Sequence, residues 1–122
     1  MCVAHYCADM NFAEVLAGSS QELRRGTVVL ACLLLLRTPG YGYGLLEQLR
    51  DHGLAVDANT LYPLLRRLET QGMLTSEWDT GEARPRKFYR TSPDGDRLAA
   101  ALLEDWKRLD ASVRKLDHGG RA

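Results

Sequence analysis

The chain has no apolar run long enough to cross a bilayer. Its longest, VVLACLLLL over residues 28–36, is about half of the roughly 20 residues that a spanning helix needs. No basic leader precedes it, so the expectation is a soluble, cytoplasmic protein with no membrane partner. Cysteine is scarce and odd in number, at Cys2, Cys7 and Cys32, so no disulfide framework is implied. Cys32, inside the apolar run, reads as a small buried hydrophobe. Cys2, His5 and Cys7 lack a second ligand pair, so neither a metal nor another cofactor is expected. His5, His52 and His118 fall in unrelated segments with no nucleophile, base or phosphate loop beside them, so no catalytic residue is assigned and an enzyme is not expected. Charge of one sign is missing too: 16 Lys+Arg offset 16 Asp+Glu, and the bulk field does not announce a polyanionic partner.

What is there is an ordinary globular mixture, 45% hydrophobic and 26% charged over 122 residues, suited to one small core. The charge is unevenly spread. Residues 58–92 carry 6 basic and 4 acidic side chains and are the only net positive third. Four of those basic residues fall in the heptapeptide RPRKFYR, as Arg84, Arg86, Lys87 and Arg90. Such clustering suits a phosphate-facing site.

Along the chain, residues 1–18 form an N-terminal extension in which NFAEVLAG suits a short helix. Ser19 with Glu22 makes a capping-box pattern, and a helix is expected over residues 20–37, stopped by Thr38-Pro39-Gly40. A second helix is expected over residues 42–52, with Leu45, Leu46 and Leu49 inward and Gly53 as its stop. After a short link comes DANTLYPLLRRLETQG, a third helix capped by Asp57 or Asn59, and helix, link, helix is the skeleton of a helix-turn-helix. Residues 74–79 and 87–91 then read as a β-hairpin with a basic returning strand. Ser92-Pro93 opens a long last helix in which Leu102, Trp106, Leu109, Val113 and Leu116 recur at spacings of four and three. This seam packs either on its own domain or, as a single long helix favours, on a second copy.

At about 100° per residue, Leu61, Leu64, Leu65 and Leu68 of the third helix share one side. Asn59, Tyr62, Pro63, Arg66 and Thr70 share the other. Amide, phenol and guanidinium are groups that meet base edges and phosphates in a major groove; they also suit a plain solvated face. The basic hairpin has the same two readings, a wing lying along DNA or a charged edge that discourages sheet pairing. Both basic elements occupy the places that a winged helix requires.

YGYGLLEQL from Tyr41, TLYPLLRRLE from Thr60, GML from Gly72 and RPRKFYRT from Arg84 resemble, in order and spacing, the PadR family of bacterial transcriptional regulators. The resemblance spans about residues 22–116. It implies a mainly α (α+β) fold, a winged helix-turn-helix domain over residues 19–92, a C-terminal dimerisation helix over residues 93–117 and a flexible tail over residues 118–122. It implies a homodimeric repressor on a pseudo-palindromic DNA operator. By position, Tyr43, Thr60, Tyr62, Arg66 and Lys87 would contact DNA, beside Asn59, Arg84 and Arg86 from the residue reading. Asn59 stands where the family often has a small residue, and Gly44 replaces a commoner polar one. Trp106 matches a family tryptophan that lines the dimer centre and stacks small aromatic or phenolic effectors. The rival reading is a winged-helix module that binds a protein partner instead of DNA.

Overall fold

A computed structural model describes residues 11–81 and 84–119. In chain order the elements are α1 (Phe12–Arg25), α2 (Thr27–Leu35), β1 (Gly40–Tyr41), α3 (Gly42–Asp51), α4 (Ala58–Thr70), β2 (Leu74–Asp79), β3 (Arg86–Thr91) and α5 (Pro93–Gly119). This is the winged helix-turn-helix expected: α-rich, with a small antiparallel sheet and a long last helix.

The first two helices differ from the expectation. α1 starts at Asn11, whose side-chain oxygen accepts the Glu14 N–H at 2.8 Å while its amide donates to the Glu14 carboxylate at 3.2 Å. This reciprocal cap takes the place of the Ser19–Glu22 box; both of those residues lie inside α1. The single helix expected over residues 20–37 is two helices, divided at Gly26. Glycine in a helix interior costs roughly 0.5–1 kcal/mol relative to alanine, and the segments on either side face different surroundings. α1 buries no residue, whereas α2 buries Val28, Leu30, Ala31, Cys32 and Leu33. A helix that is apolar all round belongs inside a core, and α2 lies between α3 and α5. Burial pushes the Cys32 thiol up to about 12, so it acts as a hydrophobe, as expected.

Leucines close the core. Leu33 and Leu36 meet Leu45 and Leu49 of α3, Leu61, Leu65 and Leu68 of α4, and Leu74 of β2, all fully buried. The hairpin pairs in one register from Leu74↔Thr91 to Asp79↔Arg86. A third strand was not expected: Gly40 pairs with Tyr89 and Tyr41 with Phe88, giving the order β1-β3-β2. Two residues are too few to show a period-2 pattern.

Thr91 and Ser92 tie these parts together. The Thr91 N–H donates to the Leu36 carbonyl at 2.8 Å and its hydroxyl to the Leu33 carbonyl at 2.6 Å. These are helix-end carbonyls with no partner in their own helix. The Ser92 N–H donates to the Met73 carbonyl, and its hydroxyl donates to the Gly72 carbonyl while accepting the Gly95 N–H. Ser92 is thus the cap of α5, as expected. Its first turn is pressed so closely against the α4–β2 turn that a Cβ on Gly95 would lie 2.1 Å from the Met73 carbonyl oxygen.

Beyond Leu103 the helix leaves the core. Trp106, Leu109, Val113 and Leu116 are 46 to 75% exposed, while Lys107–Glu104, Arg108–Asp105 and Arg114–Asp110 pair along its sides. No helix among the described residues is long and apolar enough to cross a membrane. Gly95→Ala should therefore lower stability by about 1–3 kcal/mol or more. Gly18→Ala, where nothing lies within 4 Å, should be neutral or mildly stabilising. Denaturant titration of both variants checks the pair.

Candidate nucleic-acid interface

α4 is held by its leucine side and offers the other. Asp57 is its cap, accepting the Thr60 N–H at 3.0 Å. Leu61, Leu64, Leu65 and Leu68 are buried, and Asn59, Thr60, Pro63, Arg66, Arg67 and Thr70 are exposed. Arg66 and Arg67 form no ion pair among the described residues, so both guanidiniums keep their donors for a ligand. Pro63 sits inside the helix and leaves the Asn59 carbonyl without its i+4 donor, which solvent can serve on this exposed turn.

Tyr62 finds a neighbour that the sequence does not announce. Its ring lies over Gly42, at the start of α3, where a Cβ would come within 2.5 Å of Tyr62 Cε1. Tyr62 is consequently only half exposed, while Tyr43, the next residue along α3, is 69% exposed. The phenol of Tyr62 is thereby steadied at the junction of the two helices. A large side chain opposite a leucine stripe need not await an external partner.

The basic heptapeptide does not form one face. Alternation along β3 sends Arg86, Phe88 and Arg90 to one side of the hairpin and Lys87 and Tyr89 to the other. On the first side, Arg86 lies over the Tyr41 ring at 4.1 Å, and the Tyr41 hydroxyl donates to Asp79 at 2.5 Å. That bond, with the Gly81 N–H, holds the Asp79 carboxyl below its usual value. On the second side, Lys87 Nζ donates to Glu69 of α4 at 3.0 Å and lies 5.4 Å from the Tyr89 ring centre. Glu69 also accepts the Ser76 hydroxyl. Arg84 is exposed near the hairpin tip. The wing is thus fastened to the end of α4 through one carboxylate, and Lys87 is already partnered. Sequence reasoning gave no site role to Glu69, Ser76, Tyr41 or Gly42; Glu69 follows the basic pair of α4 closely, whereas Tyr41 and Gly42 stood only in the YGYGLLEQL motif.

The arrangement offers hydrogen-bond donors and acceptors. No group of three His, Cys, Asp or Glu residues suited to a metal occurs among the described residues; Cys2, His5 and Cys7 lie outside them. Residues 29–101 match the PadR-like family of transcriptional regulators. The chain belongs to that family. It is similar to a PadR family transcriptional regulator of Eggerthella lenta, 48% identical with a TM-score of 0.83 over 86% of this chain and 94% of that one. A PadR-like transcription factor of Bacteroides fragilis is 31% identical, TM-score 0.66, over 81% and 98% of the two chains. The transcriptional regulator Rv3488 of Mycobacterium tuberculosis is 41% identical over 76 residues, which is 62% of this chain and 68% of the relative. The matched family and these relatives are transcriptional regulators, which makes transcriptional regulation the coarse function of this chain.

The wing tether is testable by pH. The Ser76 hydroxyl first, and then Lys87, hold the Glu69 carboxyl below its ordinary 4.5. A carboxyl lowered on folding adds stability that is complete above that ordinary value and disappears as pH falls through the lowered one. The half-exposed pair should contribute under about 1 kcal/mol. The stability gap between the native chain and Glu69→Gln should be constant above about pH 5 and close on further acidification; denaturant titrations across pH measure it.

Proposed function

We propose that this PadR protein is a homodimeric repressor whose two α4 helices read the half-sites of a pseudo-palindromic operator. The observation that carries the reading is the division of α4: four buried leucines fix the helix, and Asn59, Thr60 and Arg66 are exposed on it, Arg66 with no ion pair among the described residues. Placed in a major groove, Asn59, Thr60 and Arg66 discriminate bases, and Tyr43, Tyr62, Arg84, Arg86 and Lys87 set register on phosphates. Lys87 meets a phosphate while remaining on Glu69, since an ammonium has three donors.

The seam of α5 supports the dimer. Trp106, Leu109, Val113 and Leu116 are exposed and follow Leu102 at heptad spacing, a pattern that a second copy covers. Two-fold pairing through this helix gives two reading helices related as a palindrome's half-sites are. In this dimer Trp106 is also the residue on which a planar aromatic effector would stack, shifting the equilibrium through tighter binding to a form with misplaced α4 helices.

Mobility-shift titration against the gene's own upstream region should show Arg66→Ala weakening specific binding by about 1–3 kcal/mol and relaxing one base position. Arg84→Ala or Lys87→Ala should weaken all sequences alike and reduce the salt slope by about 1. Unchanged affinity and slope in Arg66→Ala and Lys87→Ala would sink the assignment. Separately, Leu109→Asp with Val113→Asp should convert a dimer to a folded monomer in sedimentation and abolish operator retention. A native chain that is monomeric in sedimentation, with and without DNA, removes the dimer.

A further inference from the structure

The phosphate contacts proposed for the operator, from Tyr43, Tyr62 and the wing, all lie on one flank of α4. Tyr62 and Glu69 are seven residues apart and share a side of that helix. Glu69 holds the wing through Lys87, and Tyr62 lies over Gly42, the residue before Tyr43. Thr60 and Arg67, also seven apart, share another side, with Arg67 about 200° round the helix from Glu69 at 3.6 residues per turn. There they line a cleft together with Arg24 and Arg25 from the last turn of α1. Neither Arg24 nor Arg67 forms an ion pair among the described residues, whereas Arg25 is held by Glu22 at 3.3 Å. Asp57, the acid of that lining, is occupied as the cap of α4, accepting the Thr60 N–H.

A helix with its side chains is about 10–12 Å across, and the major groove is about 12 Å wide. A helix seated in the groove therefore has a sugar-phosphate strand on each side, and the wing reaches one of them. We propose that Arg24 and Arg67 form a second phosphate site, which grips the strand across the groove from the wing. Guanidinium forks suit phosphodiester oxygens, which accept paired hydrogen bonds. With a strand held on each flank, α4 cannot roll in the groove, and the bases that face Asn59, Thr60 and Arg66 stay in register. The site also gives α1, which buries no residue of its own, a tie to α4 through the DNA. This inference rests on the operator reading, because it needs α4 in the groove.

The test uses the full chain and two duplexes, the gene's own upstream region and an unrelated sequence of equal length, titrated across a salt series. Arg24→Gln and Arg67→Gln should each weaken binding to both duplexes about tenfold, the scale of one hydrogen bond to a charged group, and lower the salt slope by about 1. Arg24→Gln combined with Lys87→Ala should lose affinity by the product of the two single effects, since separate contacts with no shared partner act independently. Ethylation of phosphates in the upstream duplex should interfere with binding on both strands of a half-site. Arg24→Gln should remove the interference on one strand, and Lys87→Ala on the other. Unchanged affinity and slope when both arginines are replaced overturns the site. Interference confined, for the native chain, to one strand of each half-site overturns it without recourse to any variant. Inorganic phosphate, titrated by calorimetry without DNA, should show no saturable binding up to about 1 mM; saturation that Arg24→Gln abolishes makes this a free-anion site and overturns its assignment to the strand. A native chain that retains neither duplex sinks the operator reading together with this site. One that retains the upstream duplex, with the slope unaltered in the double arginine variant, sinks the site alone.

Discussion

Thr91 and Ser92 are the joint on which the molecule turns. Two adjacent buried residues satisfy carbonyls at the end of α2 and in the α4–β2 turn, and the second also starts α5. A buried polar group left without its partner costs about 1–3 kcal/mol, and no buried side-chain polar atom among the described residues is unpaired. The joint therefore does more than stabilise. It sets the exit of the wing, the stop of α4 and the departure of α5 from one point, so their mutual angles are not independent.

A second set of contacts fixes the wing from both faces. Glu69 holds Ser76 and Lys87 on the side of α4, and Tyr41 holds Asp79 and carries Arg86 on the other. Each cation thus stands beside a carboxylate. This accounts for how a protein with no net charge is compatible with DNA: local acids orient the bases of the wing while bulk attraction is small. On the proposed reading, affinity leans on geometry and on Arg66 and Arg67, which form no ion pair among the described residues, more than on a general positive field.

Much of this was legible in the sequence, and for definite reasons. The leucines of α4 recur at helical spacing because four side chains must meet one core, so the opposite face was readable before any fold was known. Ser92-Pro93 and Gly53 announced a helix start and stop through local chemistry alone. What could not be read depends on pairing across the chain or on very short segments. β1 has two residues, the Tyr62–Gly42 contact joins positions 20 apart, and the Glu69–Lys87 tether joins positions 18 apart. The break at Gly26 was hidden because α2 is apolar all round and so fits any period that α1 sets, and the true cap at Asn11 outdoes a serine that also fits the pattern. Treating RPRKFYR as one patch ignored strand alternation, which divides any β segment between two faces.

Pro63 is the remaining local peculiarity, and its position now has a physical meaning. It is exposed and lies six residues beyond the Asp57 cap. The turn between them is held by the cap at its start and loses one backbone bond at its end. The leucines begin to anchor the helix at Leu61, so residues 58–60 are the part of α4 with the least packing behind them. Asn59 and Thr60, two of the residues proposed for base reading, are on that part. α4 is thus tied at its C-terminal end through Glu69 and Gly72 and at its start through the Asp57 cap, while residues 58–60 between that cap and the leucines bury no side chain.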